Sequence, residues 1–261
     1  MDSAVVAWTK ENKVAVVTIM NPPVNVLTIK VRDGLKRCFQ DIEQDREVSA
    51  VVITGNGEKA FMAGADIKSF PDMFGIPGAA YGFARTVYEV WDYIENFPKP
   101  TIAAINGLAF GAGLELALAC DIRIASENAK FGLPEINLGL FPGGGGTQRM
   151  PRLAGSALAK EMIFTGEPID CGRALASGFL NQVVPCGEAL TRAKEIAGRI
   201  ASHSQVILRL AKAAVNRGAD VSLREAISVE AELWQDAFMT EDIKEGVTAF
   251  IEKRTPRFGG R

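Results

Sequence analysis

Histidine is nearly missing from this chain: among 261 residues there is one, His203, in Arg199-Ile-Ala-Ser-His-Ser-Gln. A histidine-rich zinc site is thereby excluded, and a Ser–His–Asp or Cys–His site would have to use that single residue. Its setting reads instead as a helix end or turn. The four cysteines, Cys38, Cys120, Cys171 and Cys186, have no Cys-x-x-Cys spacing. Reduced, buried thiols are expected, as in a cytoplasmic protein. Met1 to Lys10 lacks the basic-then-apolar pattern of a signal peptide, and no apolar run has the length of a membrane span. With a formal charge of −2 the chain has no strong field of either sign, so neither nucleic acid nor an anionic membrane is an expected partner. Gly-x-Gly-x-x-Gly is absent, and the run Gly143 to Gly146 has no lysine to complete a phosphate loop.

What remains is an ordinary globular composition, 48% hydrophobic and 23% charged, long enough for one large domain or a core with an appendage. Ala4 to Lys10 and Lys13 to Met20 alternate as an antiparallel strand pair. Val31, Leu35, Phe39 and Ile42 have helical spacing behind a Thr28 N-cap. Ser49 to Thr54 and Thr101 to Asn106 read as buried strands, with a long loop from Gly55 to Ala65 and a helix from about Tyr81 to Phe97 between them. Gly113 to Cys120 reads as a short helix and Asp121 to Ala125 as a strand, which argues for an α/β architecture with right-handed crossovers. After Pro185 four helical patterns follow: 188–202, 205–216, 222–238 and 242–253, the third opened by the capping box Ser222-Leu-Arg-Glu225. The expected division is an α/β core at 1–189 and a helical region at 190–261. No internal repeat is visible.

Two acids stand out. Glu115 follows the turn Gly111-Ala112-Gly113-Leu114, and Glu135 lies in Phe131-Gly-Leu-Pro-Glu-Ile-Asn137; both stretches are apolar. Burial and mutual repulsion push such a pair's pKa values apart, the raw material of general acid–base chemistry. The turn from Gly107 to Gly113 joins a strand to a helix, so the unpaired N–H groups of the helix start could face one oxygen. Ala63-Gly64-Ala65-Asp66-Ile67-Lys68 is a second small-residue turn where a ligand could approach the main chain.

The stretch Ile102-Ala-Ala-Ile-Asn106-Gly107 through Gly111-Ala112-Gly113-Leu-Glu115 to Cys120-Asp121 resembles the signature of the crotonase (enoyl-CoA hydratase/isomerase) superfamily. The likeness continues in Ala63-Gly64-Ala65-Asp66, Pro134-Glu135, Pro142-Gly143, Gly146-Thr-Gln-Arg149 and Phe250-Ile-Glu-Lys253-Arg254, in the family's order. It implies a spiral of repeated ββα units with a helical C-terminal trimerisation region. It implies an enoyl-CoA hydratase needing no cofactor, since coenzyme A is part of the substrate. By the same resemblance Glu115 and Glu135 are the catalytic acids, water being activated by Glu115 and the α-carbon protonated by Glu135. Ala65 and Ala112 supply the N–H groups that hold the thioester oxygen, with Ala112 in place of the more usual glycine. Gly143 lies beside the catalytic water. Ala63, Asp66, Ile67 and Lys68 border the coenzyme A site, and Lys253 approaches it from a neighbouring subunit of a homotrimer or homohexamer. Phe70 to Phe83 is expected to border the acyl tunnel. Two other readings stay open: a Δ3,Δ2-enoyl-CoA isomerase, which works with one acid at the Glu135 position, and a non-catalytic or RNA-binding relative.

Overall fold

The computed structural model describes residues 4–260; residues 1–3 and 261 lie outside it. Its strands are β1 (Val6–Glu11), β2 (Val14–Ile19), β3 (Ala50–Gly55), β4 (Ala60–Ala63), β5 (Thr101–Ile105), β6 (Leu108–Phe110), β7 (Ile122–Ser126), β8 (Lys130–Gly132), β9 (Ile169–Asp170) and β10 (Gln182–Val184). Its α-helices are α1 (Ile29–Gln44), α2 (Ala79–Glu95), α3 (Ala112–Ala119), α4 (Gly146–Ala154), α5 (Ser156–Thr165), α6 (Cys171–Ala176), α7 (Ala189–Ile200), α8 (Gln205–Ala219), α9 (Leu223–Phe238) and α10 (Glu241–Ile251). Short 3-10 helices cover Ile67–Met73 and Pro134–Leu138.

Two sheets form. One has the order β1-β2-β3-β5-β7-β10 and the other β4-β6-β8-β9. Only the outer pairs β1–β2 and β8–β9 are antiparallel. The chain thus winds through a unit repeated three times: a strand for the first sheet, a strand for the second, then a helix. These units are β3-β4-α2, β5-β6-α3 and β7-β8-α4. The repeat lies in topology and not in sequence, as the ββα resemblance implies.

The first sheet is buried on both faces, which is why its strands read as unbroken apolar runs. Val51, Ile53, Ala103 and Ile105 join α1, α2 and α3 in one core, with Phe39, Trp91 and Phe97 wholly enclosed. The alternate residues Ala50, Val52, Ile102 and Ala104 face α7 through Ala193 and Ala197, and Ala201 just past its end. Small residues on α7 let the helix lie close against the sheet. The expected boundary at 190 therefore falls at the start of a helix that covers the sheet, and α8 to α10 are the helices that lie beyond it. Each large enclosed side chain contributes about 1.5–3 kcal/mol.

Several local readings carry over. Thr28 caps α1, its hydroxyl accepting from Val31 N at 3.2 Å. Ser222 and Glu225 form the capping box of α9, and His203 sits in the turn between α7 and α8. Others need correction. The expected loop from Gly55 to Ala65 contains β4. Cys186 is exposed in the turn before α7, unlike the other three cysteines, because that turn carries Pro185 and Gly187 on the surface. On α9, Leu233 is buried, while Ile227 and Phe238 are exposed.

Candidate active site

α3 is the element that organises the site. It follows Gly111, whose φ of +50° suits glycine, and every one of its residues is buried. A Cβ on Gly113 would fall 1.9 Å from the carbonyl oxygen of Met62. Glycine there lets α3 press onto β4, so the two small-residue turns meet. A parallel bridge pairs Leu27 with Ala65: Leu27 N donates to Gly64 O at 2.8 Å, and Asp66 N donates to Leu27 O at 2.9 Å. Successive N–H groups of an extended chain point to opposite sides. The Ala65 N–H accordingly faces away from Leu27, on the side of β4 that pairs with β6 and leads into α3. Ala112 opens α3, where N–H groups have no partner within the helix.

Glu115 lies in the first turn of α3 and is 2% exposed. Its Oε1 accepts from Gly144 N at 2.8 Å and Gly146 N at 2.9 Å. Burial pushes its pKa up, opposed by those two N–H groups and by the charge of Arg149. Arg149, on α4, donates from Nε to Glu95 Oε2 at 2.9 Å and from Nη1 to Gly144 O at 3.2 Å. Its guanidinium also lies 5.7 Å from the centre of the Tyr88 ring.

Glu135 stands on the 3-10 turn after β8, behind Pro134. Its Oε1 reaches the start of α3: a Cβ on Gly111 would lie 2.8 Å from it. Its Oε2 is buried without a hydrogen-bond partner. Burial pushes this carboxyl up to about 7, with the Glu115 charge adding to the rise and the residue's own backbone N–H opposing it. The two acids flank the same turn, one held by three favourable groups, the other with a bare oxygen. Gly143, exposed, begins the turn that cups Glu115. Such a site can offer a hydrogen-bonded carboxylate, a carboxylic acid that keeps its proton near neutrality, and main-chain N–H groups.

A family model described as enoyl-CoA hydratase/isomerase matches residues 9–261. The chain belongs to that family. A short-chain-enoyl-CoA hydratase of Clostridium acetobutylicum is 47% identical over 246 residues, 94% of either chain. A crotonyl-CoA hydratase of Syntrophomonas wolfei is 43% identical over 250 residues, 95% of either chain. Among solved structures, an enoyl-CoA hydratase from Bacillus anthracis has a TM-score of 0.92 at 37% identity, covering 98% of this chain and all of the other.

The remaining expected site residues fall in two places. Ala63 ends β4 and donates its N–H to Val24 O at 3.0 Å; Asp66 caps the following 3-10 helix by accepting from Lys68 N at 3.2 Å. Ile67 and Lys68 are exposed beside them. Lys253 is elsewhere, just past α10, a helix tied by Asp242 to Ser204 and to the N–H groups of Gly259 and Gly260. Within this one chain no hydrogen bond or ion pair described joins it to the glutamates. A cavity of about 820 Å³, lined in part by Lys13, Arg46, His203 and Arg257, also lies apart from both acids. Among the described residues, no helix is long and apolar enough to cross a membrane, and no three metal-binding side chains are gathered.

Sequence reasoning missed the parts played by Arg149 and Glu95. Arg149 was visible only as a letter of the Gly-Thr-Gln-Arg motif. In the sequence alone, an arginine so close to a glycine run carries no mark of burial.

Proposed function

We propose that this protein adds water across the double bond of a trans-2-enoyl-CoA to give the 3-hydroxyacyl-CoA. One observation carries the reading: two glutamates with opposite surroundings flank the turn that opens α3. The family, and the names of the relatives from Clostridium and Syntrophomonas, support it. The thioester oxygen is taken to lie against the N–H groups of Ala65 and Ala112, which draws electrons from the β-carbon and stabilises the enolate. Glu115, ionised, removes a proton from water as its oxygen bonds to the β-carbon. Glu135, protonated, delivers a proton to the α-carbon. Glu115 ends with a proton and Glu135 without one, and exchange with solvent restores both. No cofactor enters this sequence.

Ala63, Asp66, Ile67 and Lys68 are assigned to the coenzyme A side, and Gly143 to the attacking water. We further take the protein to assemble as a homotrimer or homohexamer, with Lys253 of one subunit reaching the coenzyme A of another. The exposed apolar side chains of Trp234, Phe238, Phe250 and Ile251 on α9 and α10 support assembly. We take its compartment to be the cytoplasm, where buried free thiols such as Cys38 and Cys120 stay reduced.

A kinetic profile over trans-2-enoyl-CoA chain lengths, with a 3-enoyl-CoA included, tests the activity. Hydration of crotonyl-CoA or a longer homologue is expected; no turnover of any 2-enoyl thioester would overturn it. Turnover confined to the 3-enoyl substrate would make the protein an isomerase working through Glu135. Sedimentation equilibrium at micromolar concentration tests the assembly, and a monomer there would refute it.

A further inference from the structure

Glu115 is held by a turn that is itself held. The residue Gly144 is pinned at both of its polar atoms: its N–H donates to Glu115 Oε1 at 2.8 Å, and its carbonyl accepts from Arg149 Nη1 at 3.2 Å. There is no slack around it. A Cβ on Gly144 would lie 2.3 Å from Glu115 Oε2 and 3.1 Å from Trp91 Nε1, and Trp91 is wholly buried. Arg149 is 7% exposed, and its fork is divided between two tasks. Nε and Nη2 both face Glu95 Oε2 at the end of α2, which leaves Nη1 for the turn. Glu95 is anchored in turn, because its own carbonyl accepts from Asn216 Nδ2 on α8 at 3.0 Å.

We propose that Arg149 is a positioning residue for the reaction: it fastens the Gly144 turn that holds Glu115 and sets its charge behind that carboxyl. The inference rests on the hydratase reading for its consequence in turnover. The charged or titratable groups facing Glu115 are few. Arg149 approaches from α4 and Glu135 from the 3-10 turn, while Glu95 and Tyr88 on α2 stand behind Arg149. The strands β4 and β6 contribute none. Burial opposes ionisation of Glu115, and Arg149 is the one cation that acts against it. Glu95 draws on the same guanidinium from the other side, so the two residues should move Glu115 in opposite directions.

The experiment compares Arg149→Met, Arg149→Lys and Glu95→Gln with the parent, each first shown to be folded by circular dichroism. Turnover of crotonyl-CoA is measured across pH. In parallel, an infrared titration reads the Glu115 carboxyl directly, its band assigned with Glu115→Gln. Arg149→Met should lower kcat by about tenfold to a hundredfold, with KM changed by less than about threefold. Its acidic limb and carboxyl midpoint should both rise by about one pH unit, since a stabilising cation is lost. Arg149→Lys keeps the charge but not the fork; its limb should return close to the parent's while kcat recovers only in part. Glu95→Gln should move the midpoint down. A midpoint unmoved in Arg149→Met, or shifted the same way in Arg149→Met and Glu95→Gln, would overturn the proposal. Should Arg149→Met fail to fold, Glu95→Gln still decides by the sign of its shift. A parent that hydrates nothing would sink the hydratase reading alone, because the infrared midpoint still tests what Arg149 does to Glu115.

Discussion

Glu115 and Glu135 have the same side chain and nearly the same neighbourhood, yet the molecule treats them differently. Glu115 sits in the first turn of an α-helix, with two main-chain donors on one oxygen and an arginine behind. Glu135 sits on a single 3-10 turn, with one oxygen against Gly111 and the other without a partner. Both are pushed up by burial, but Glu115 is opposed by two N–H groups and an arginine, whereas Glu135 has only its own backbone N–H against the rise. On the proposed mechanism, base and acid are thus divided by surroundings and not by residue type. Two close acids titrate as a pair, so the division shows most clearly when one member is altered.

Removing either acid should break the comparison most severely. Glu115→Ala deletes the proposed base and should lower crotonyl-CoA hydration by roughly 10²–10⁴-fold, leaving any isomerisation less affected. Glu135→Ala should depress both activities. Steady-state rates on 2-enoyl and 3-enoyl thioesters check this, and parental hydration by Glu115→Ala would end the two-acid account. Next comes the main-chain donor. Ala112→Pro takes away one N–H, and turnover should fall by about 10²–10³-fold with a smaller change in KM, provided circular dichroism shows an intact fold. A folded variant with normal kcat would move the oxygen-binding site elsewhere.

Gly144→Ala tests the surroundings of Glu115 without touching the acid. Its methyl collides with Glu115 Oε2, so the carboxylate must turn, and kcat should drop by about a hundredfold. Full activity would mean that the turn's grip on Glu115 is irrelevant. The smallest effect belongs to stability. Glu135 holds its proton in the folded protein up to about pH 7, whereas the ordinary carboxyl value is 4.5. A raised folded pKa stabilises fully below the unfolded value, and that contribution is lost as pH climbs through the folded one. Folding should therefore weaken between about pH 4.5 and 7, by up to about 3 kcal/mol before solvent screening reduces it. Glu135→Gln, neutral throughout, should match the parent at pH 4 and exceed it at pH 8 in urea unfolding. Parallel curves for the two proteins would refute the raised value.

Elements long enough to show a period were readable. The six-residue strands β1, β2 and β3, the helix α1 with its threonine cap, and the late helices could all be placed from spacing alone. The second sheet could not. Its strands have four residues or fewer, such as Leu108–Phe110 and Lys130–Gly132, and their pairing is set by the winding of the chain. Helices α4 to α6 escaped for related reasons: α4 opens on glycine and carries Pro151 within it, and α6 has only six residues. At the site, Glu115 and Glu135 were legible because a charge in an apolar stretch is conspicuous. Arg149 was not, since its burial comes from α2, some fifty residues earlier in the chain.

The contact of Gly113 with the Met62 carbonyl has a consequence for how this protein could be redesigned. It packs α3 directly against β4, so the placement of the peptide nitrogens of Ala65 and Ala112 relative to each other is set by backbone contacts. Side chains at 115 and 135 can then be exchanged as interchangeable tools on a fixed jig. If the proposed oxygen-binding role of these nitrogens holds, activation of a thioester carbonyl would remain a property of the jig, while the tools decide whether water, a proton or some other group is delivered to it.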